Sequence, residues 1–281
     1  MCRVWCAIAV FAAAAGCTAR SDRPAVETIA RSLAPTAPLE GICLESVLLE
    51  RPVGDRFLDR DLWADALPVG SHEVRFLLSE NGLRAGVLSS PPPQRFLAMF
   101  ESETEAINAR RLVSRKDEVL PTSGPHERCA FDLLADAAGA RSAAAFNQAR
   151  CGVLVRTEVA DQARVKVTCE PRIQYGERHE WLRPSADGTG FVKYEEVPLA
   201  PYPFLAFDAP LGPNEYLLIG WRADRPNTLG EALFAVEANG VRQRVLVIRA
   251  RQLNPGAAPD LPPLGPIRRQ AIAAEAGRPP R

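Results

Sequence analysis

What most limits the fold is a succession of short apolar runs in the C-terminal half, GVLVRTEV, RVKVTCEPRI, EYLLIGWRA, ALFAVEA and QRVLVIRARQL, each bounded by turn residues. Runs of this length and spacing predict a mainly antiparallel, β-rich module over residues 125–253. Residues 41–124 read differently. ICLESVLLE is a strand candidate ended by Pro52, and LRAGVLSS is a second strand between helix-like stretches at Ser71 to Asn81 and Gln94 to about Asn108. Asn81-Gly82 is compatible with a hairpin turn, but Val74, Leu77 and Leu78 recur at helical spacing and favour a helix C-terminus there. Pro91-Pro92-Pro93 reads as a rigid spacer. The expectation is an α+β chain: a small α+β unit, then the β-rich module, then a disordered Pro/Ala/Arg tail over residues 254–281.

The amino terminus speaks about compartment. Arg3 precedes an apolar run from Val4 to Ala15, which is signal-peptide length and too short to span a bilayer as a helix. Ala14-Ala15-Gly16-Cys17 resembles the bacterial lipoprotein box, with Ala14 where that family usually has Leu. The resemblance implies that residues 1–16 are removed and that Cys17 carries the lipid, and several acyl chains suffice for stable anchoring. Thr18, where Asp resembles the inner-membrane retention signal, implies the outer membrane, facing the periplasm. Residues 17–40 then form a tether rich in Pro, Ala, Ser and charge.

Cysteine use follows from that compartment. Cys43, Cys129, Cys151 and Cys169 remain after Cys2 and Cys6 leave with the signal and Cys17 is lipidated, and an even number in an exported chain favours disulfides. In an even register, Cys151, Val153 and Val155 share a hairpin face with Val165, Val167 and Cys169, which suggests a Cys151–Cys169 bridge and leaves Cys43 with Cys129. Buried free thiols are the rival, and a zinc site from His126, Cys129, Cys151 and Cys169 is a further one with irregular ligand spacing.

Chemistry is harder to find. With 34 basic against 34 acidic residues the chain offers no electrostatic footprint for nucleic acid. Walker, nucleophile-elbow, zincin and dinucleotide motifs are missing, and no catalytic, metal or cofactor residue is assigned. Asp187-Gly188-Thr189-Gly190 reads as a turn, and Glu195-Glu196 as adjacent strand residues on opposite faces. Trp63, Trp181 and Trp221, with Tyr194, Tyr202 and Phe204, suit core or interface burial better than a ligand groove.

RVKVTCEPRIQYG, NEYLLIGWRADRPNTLGEALF and QRVLVIRARQL, in that order, resemble the C-terminal core of bacterial secretins, and the resemblance covers about residues 151–253. The chain as a whole, with LRAGVLSSPP and NEYLLIG…RPNTLGEALF…RQRVLVIRA, resembles uncharacterised lipoproteins of planctomycete bacteria. Two departures from secretins matter. Neither face of QRVLVIRARQL stays apolar to its end, as a lipid-facing strand requires, and the central glycine pairs are replaced around Gly220-Trp221. A soluble sheet is therefore expected rather than a pore. The expected function is a non-enzymatic, membrane-anchored envelope component for binding or assembly, with an envelope protein or a second copy as partner. The alternatives are a ring-forming secretin-family subunit and an envelope-polymer hydrolase using His126 or His179 as base.

Overall fold

The computed structural model describes residues 41–114, 117–161, 163–185, 189–237 and 240–253. Cys17, the tether and the C-terminal tail lie outside the described residues, as does Asp187-Gly188. The chain is mainly antiparallel β. In chain order the strands are β1 (Gly41–Pro52), β2 (Ala66–Pro68), β3 (Leu83–Leu88), β4 (Ala106–Ser114), β5 (Glu118–Leu133), β6 (Ser142–Val159), β7 (Val165–Gln174), β8 (His179–Pro184), β9 (Phe191–Glu196), β10 (Leu199–Pro201), β11 (Phe207–Leu211), β12 (Tyr216–Trp221), β13 (Ala235–Glu237) and β14 (Val241–Leu253). A π-helical turn at Phe57–Asp61 runs into α1 (Leu62–Ala64), followed by α2 (His72–Glu80), α3 (Gln94–Phe100) and α4 (Leu229–Phe234).

A seven-stranded sheet has the order β2-β3-β12-β14-β1-β4, with β13 also on β14. Its central strands bury both faces. Leu246, Ile248 and Ala250 of β14 and Leu217 and Ile219 of β12 pack toward a second sheet, β10-β7-β6-β5 with β11 on β7, and toward α2 and α4. The alternate residues Val245, Val247 and Leu218 pack on the other side against Phe57, Leu58, Leu62, Phe96 and Met99. QRVLVIRARQL lacks a polar face because it is a buried middle strand of this sheet.

Charge enters that interior only in pairs. Glu45 on β1 stands opposite Arg249 of β14 and Arg111 of β4, and its carboxylate accepts from both guanidiniums, at 2.7 Å from each Nε. Arg249 Nη1 also reaches the Tyr216 hydroxyl at 3.3 Å. One register position across three strands thus forms a cation–anion–cation row, which offsets the cost of burying Glu45 and Arg249.

Three expectations change. The boundary at 124/125 falls inside β5, and β1 and β3 share their sheet with β14 and β12, so the two expected domains are interleaved in one compact unit. The second helix stops at Phe100 and the chain re-forms as β4 on the edge of β1. Both expected disulfides are corrected, since all four described cysteines are free and buried. Cys151, Val153, Val155, Val165, Val167 and Cys169 do share the inward face. However, Val159 pairs with Val165, which places Cys151 opposite Ile173 and Cys169 opposite Val155. A four-residue offset separates the thiols by about 13 Å along the strands. Cys43 lies in the first sheet and Cys129 in the second.

Candidate functional site

The expected helix over Ser71 to Asn81 is present, and it builds one wall of the main cleft. Ser71 caps α2 by accepting from the Val74 amide at 3.2 Å, and Gly82 leaves the helix at φ +71°, turning the chain into β3. Arg75, Leu78 and Ser79, spaced three and four apart, present one helix face to a cleft of about 760 Å³. The opposite wall is Asp59, Arg60 and Trp63 from the π-turn and α1. Its floor is Leu83, Arg84, Ala85 and Gly86 of β3. Successive strand residues point to opposite faces, so a cleft that touches four in a row looks onto the edge of the strand.

Arg84 locks the second wall. Its Nη1 donates to the Asp59 carbonyl at 2.6 Å and its Nη2 to the Leu58 carbonyl at 2.9 Å. The Trp63 indole N–H shares the Leu58 carbonyl at 2.7 Å. The guanidinium lies 4.3 Å over the Trp63 ring. Gly220 lets the indole approach closely, because a Cβ on it would stand 3.0 Å from Trp63 Cζ2, tighter than an ordinary contact. Burial lowers the Arg84 pKa to about 10, against the opposing pull of Asp59, so it remains a cation at neutral pH. Arg84 Nε is nonetheless buried without a hydrogen-bond partner.

At the third side, Arg222 is held by Asp224 at 2.7 Å and by the Ser79 hydroxyl at 2.5 Å. That hydrogen-bonded pair raises the Arg222 pKa and lowers that of Asp224. Arg60 and Arg75 are different, for both are exposed and neither has a carboxylate partner among the described residues. The lining therefore carries four guanidiniums against two carboxylates around an indole and apolar side chains. Such a lining suits an anion with an apolar body.

The residues singled out in the sequence scatter. Trp63 lies in the cleft; Trp221 is buried with its indole N–H on the Arg225 carbonyl at 3.1 Å; Trp181 is exposed on β8. His126 Nε2 stands 3.0 Å from Ser123 Oγ, but that hydroxyl donates to the Ala232 carbonyl at 2.6 Å. With the hydroxyl proton committed, the imidazole is the donor and not a base toward Ser123. Burial, and then Arg244, lower the His126 pKa and keep the ring neutral. Cys129 and Cys151 lie in the same buried cluster, yet no group of three metal-ligating side chains occurs among the described residues. His179 sits on the exposed β8 strand beside Trp181. The four cleft arginines come from separate segments, and no spacing in the sequence marked them.

No family model matches the chain, and no curated protein does. Among solved structures it is similar to the InvG secretin domain β-barrel from the Salmonella SPI-1 injectisome NC-base. The match has 12% identity and a TM-score of 0.18, and it covers 84% of this chain and 68% of that one. At that TM-score the likeness assigns neither topology nor activity, and the fold rests on the strand order described above.

Proposed function

We propose that the protein is a non-enzymatic binding component of the cell envelope, held at the outer membrane through a lipidated Cys17 and capturing an anionic ligand in the arginine-lined cleft. The observation that carries the reading is the pair Arg60 and Arg75, two cations left without carboxylates beside a tryptophan. Guanidiniums that serve the fold are engaged by it, as Arg84 is by two carbonyls and Arg222 by Asp224 and Ser79; Arg60 and Arg75 remain available to a ligand carboxylate or phosphate.

The test is calorimetric titration of the mature protein with a panel of small carboxylates and phosphates at low salt. Saturable binding that weakens with added salt and falls at least about tenfold in an Arg60→Glu/Arg75→Glu variant is expected. Binding that ignores the double variant would place the ligand elsewhere. The anchor is tested separately by the mass of the mature N-terminus, where an unmodified Cys17 removes it.

Self-assembly is a second reading, favoured by the β8–β9 ribbon. Trp181, Leu182, Phe191 and Val192 are 55–72% exposed there. A ring or dimer in native mass measurements, lost on Leu182→Ser/Phe191→Ser, would support it.

A further inference from the structure

The floor of the cleft has a polarity of its own. Arg222 N donates to the Gly82 carbonyl at 2.8 Å, in register with Trp221 opposite Leu83 and Gly220 opposite Arg84. In an antiparallel pair, residues alternate between bonding to the partner strand and facing away from it. Gly82, Arg84 and Gly86 therefore turn their backbone groups to β12, whereas Leu83, Ala85 and Val87 turn theirs outward.

Val87 finds Leu67 of β2 there. The next β2 residue is Pro68, opposite Gly86, and β2 ends with it. Because Gly86 faces β12, the residue of this segment level with Ala85 is Val69, the one after Pro68, from which the chain turns away into α2. The Leu83 nitrogen is shielded by Gly230 of α4, from which an added Cβ would lie 3.1 Å away. What remains is the Ala85 N–H and the Leu83 carbonyl, aimed along the sheet plane into the cleft, with no strand paired to them on that side among the described residues.

Building on the reading of the cleft as an anion site, we infer that its ligand is an extended acidic peptide segment, added as a strand to β3 in line with β2. The backbone of the segment pairs with Ala85 and Leu83, and its alternate acidic side chains share one face of the sheet, where they meet Arg75 or Arg60 according to the register. Strand addition draws affinity from main-chain bonds and specificity from the pockets for alternate side chains. Charge selects the occupant. The chain's own C-terminal tail carries Arg268, Arg269, Arg278 and Arg281 and is repelled by the same arginines.

The experiment uses the mature full-length protein and three kinds of peptide probe, four peptides in all, in calorimetry. The first is acetyl-Thr-Glu-Val-Glu-Val-Glu-Thr-amide, the second is the same peptide methylated at alternate backbone nitrogens in either phase, and the third replaces Glu by Lys. The expected result is binding of the first, binding about thirtyfold weaker for one methylation phase, and none for the third. Amide exchange at Ala85 should also slow when the first probe is bound.

Equal binding of the parent and both methylated forms, lost in Arg60→Glu/Arg75→Glu, overturns strand addition while leaving the anion cleft intact. Failure of every peptide overturns it as well, and the small-anion titration then decides the cleft alone. Binding of the Lys peptide in place of the Glu peptide overturns both. Ala85→Pro provides an internal control, since it removes an edge donor and no bond to β12. It is expected to keep the far-ultraviolet dichroism of the parent and to weaken the first probe about tenfold.

Discussion

The β1–β14 pair and the β8–β9 ribbon are both antiparallel ladders, yet they occupy opposite environments. The first runs in unbroken register from Gly41 opposite Leu253 to Pro52 opposite Arg242, covered on both faces by the second sheet and by helices. The second leaves every residue of β8 exposed. Ladder bonds alone therefore do not set what a strand contributes; what covers its faces does. The polar residues show it. Glu45 is buried between Arg249, itself buried, and Arg111 of the edge strand, whereas the ribbon's pairs Arg178–Glu195 and Lys193–Glu180 lie in water, where such pairs contribute little.

The contrast can be broken most readily at the aromatic residues. Phe96→Ala, beneath the covered sheet, is expected to cost about 3–5 kcal/mol in urea unfolding, and Phe191→Ala on the ribbon less than about 0.5 kcal/mol. Similar losses at both would mean that the ribbon packs on something in solution. Next comes Glu45→Ala, expected to cost about 3 kcal/mol because it strands Arg249 in the interior. Glu180→Ala should leave the unfolding midpoint unmoved.

Ser71→Ala, which uncaps the helix at the cleft wall, should cost about 1 kcal/mol and lower α2 amide protection before that of β14 in hydrogen exchange. The smallest effect is set by pH. His126 titrates below its ordinary 6.5 in the folded chain, so the unfolded chain takes up its proton first as pH falls. Stability from this group is present above 6.5, is lost as pH drops through that value toward the folded pKa, and changes no further below it. A His126→Gln variant should have the shallower profile, and NMR titration of the ring locates the lower limit.

Much of the fold was legible because periodicity reports burial. QRVLVIRARQL, EYLLIGWRA and LRAGVLSS all form strands, and Ser71 through Gly82 contains a helix with its start and stop signals in place. The helix expected to reach Asn108 ends early because Phe96 and Met99 serve one short packed turn, after which alternation takes over in AINARRLVS. Register was the weakest inference. The pairing of Val159 with Val165 sets the offset that parts Cys151 from Cys169, and face-sharing alone cannot reveal it. The cleft was invisible because Arg60 of the π-turn, Arg75 of α2, Arg84 of β3 and Arg222 after β12 are brought together only by the tertiary fold. Locally, each resembles a residue on a solvated face.

The pairing of the first and last described strands also has a mechanical consequence. Gly41 and Leu253 are neighbours at one end of the same antiparallel ladder. Tension drawn between the two ends of this body loads that ladder like a zipper, opening one residue pair at a time, where a shear geometry would load all pairs together. The strands that form the centre of the fold are thus also its most direct route to being pulled apart, and a force probe gripping both ends should record yielding that begins at Gly41 and Leu253 and travels toward Pro52.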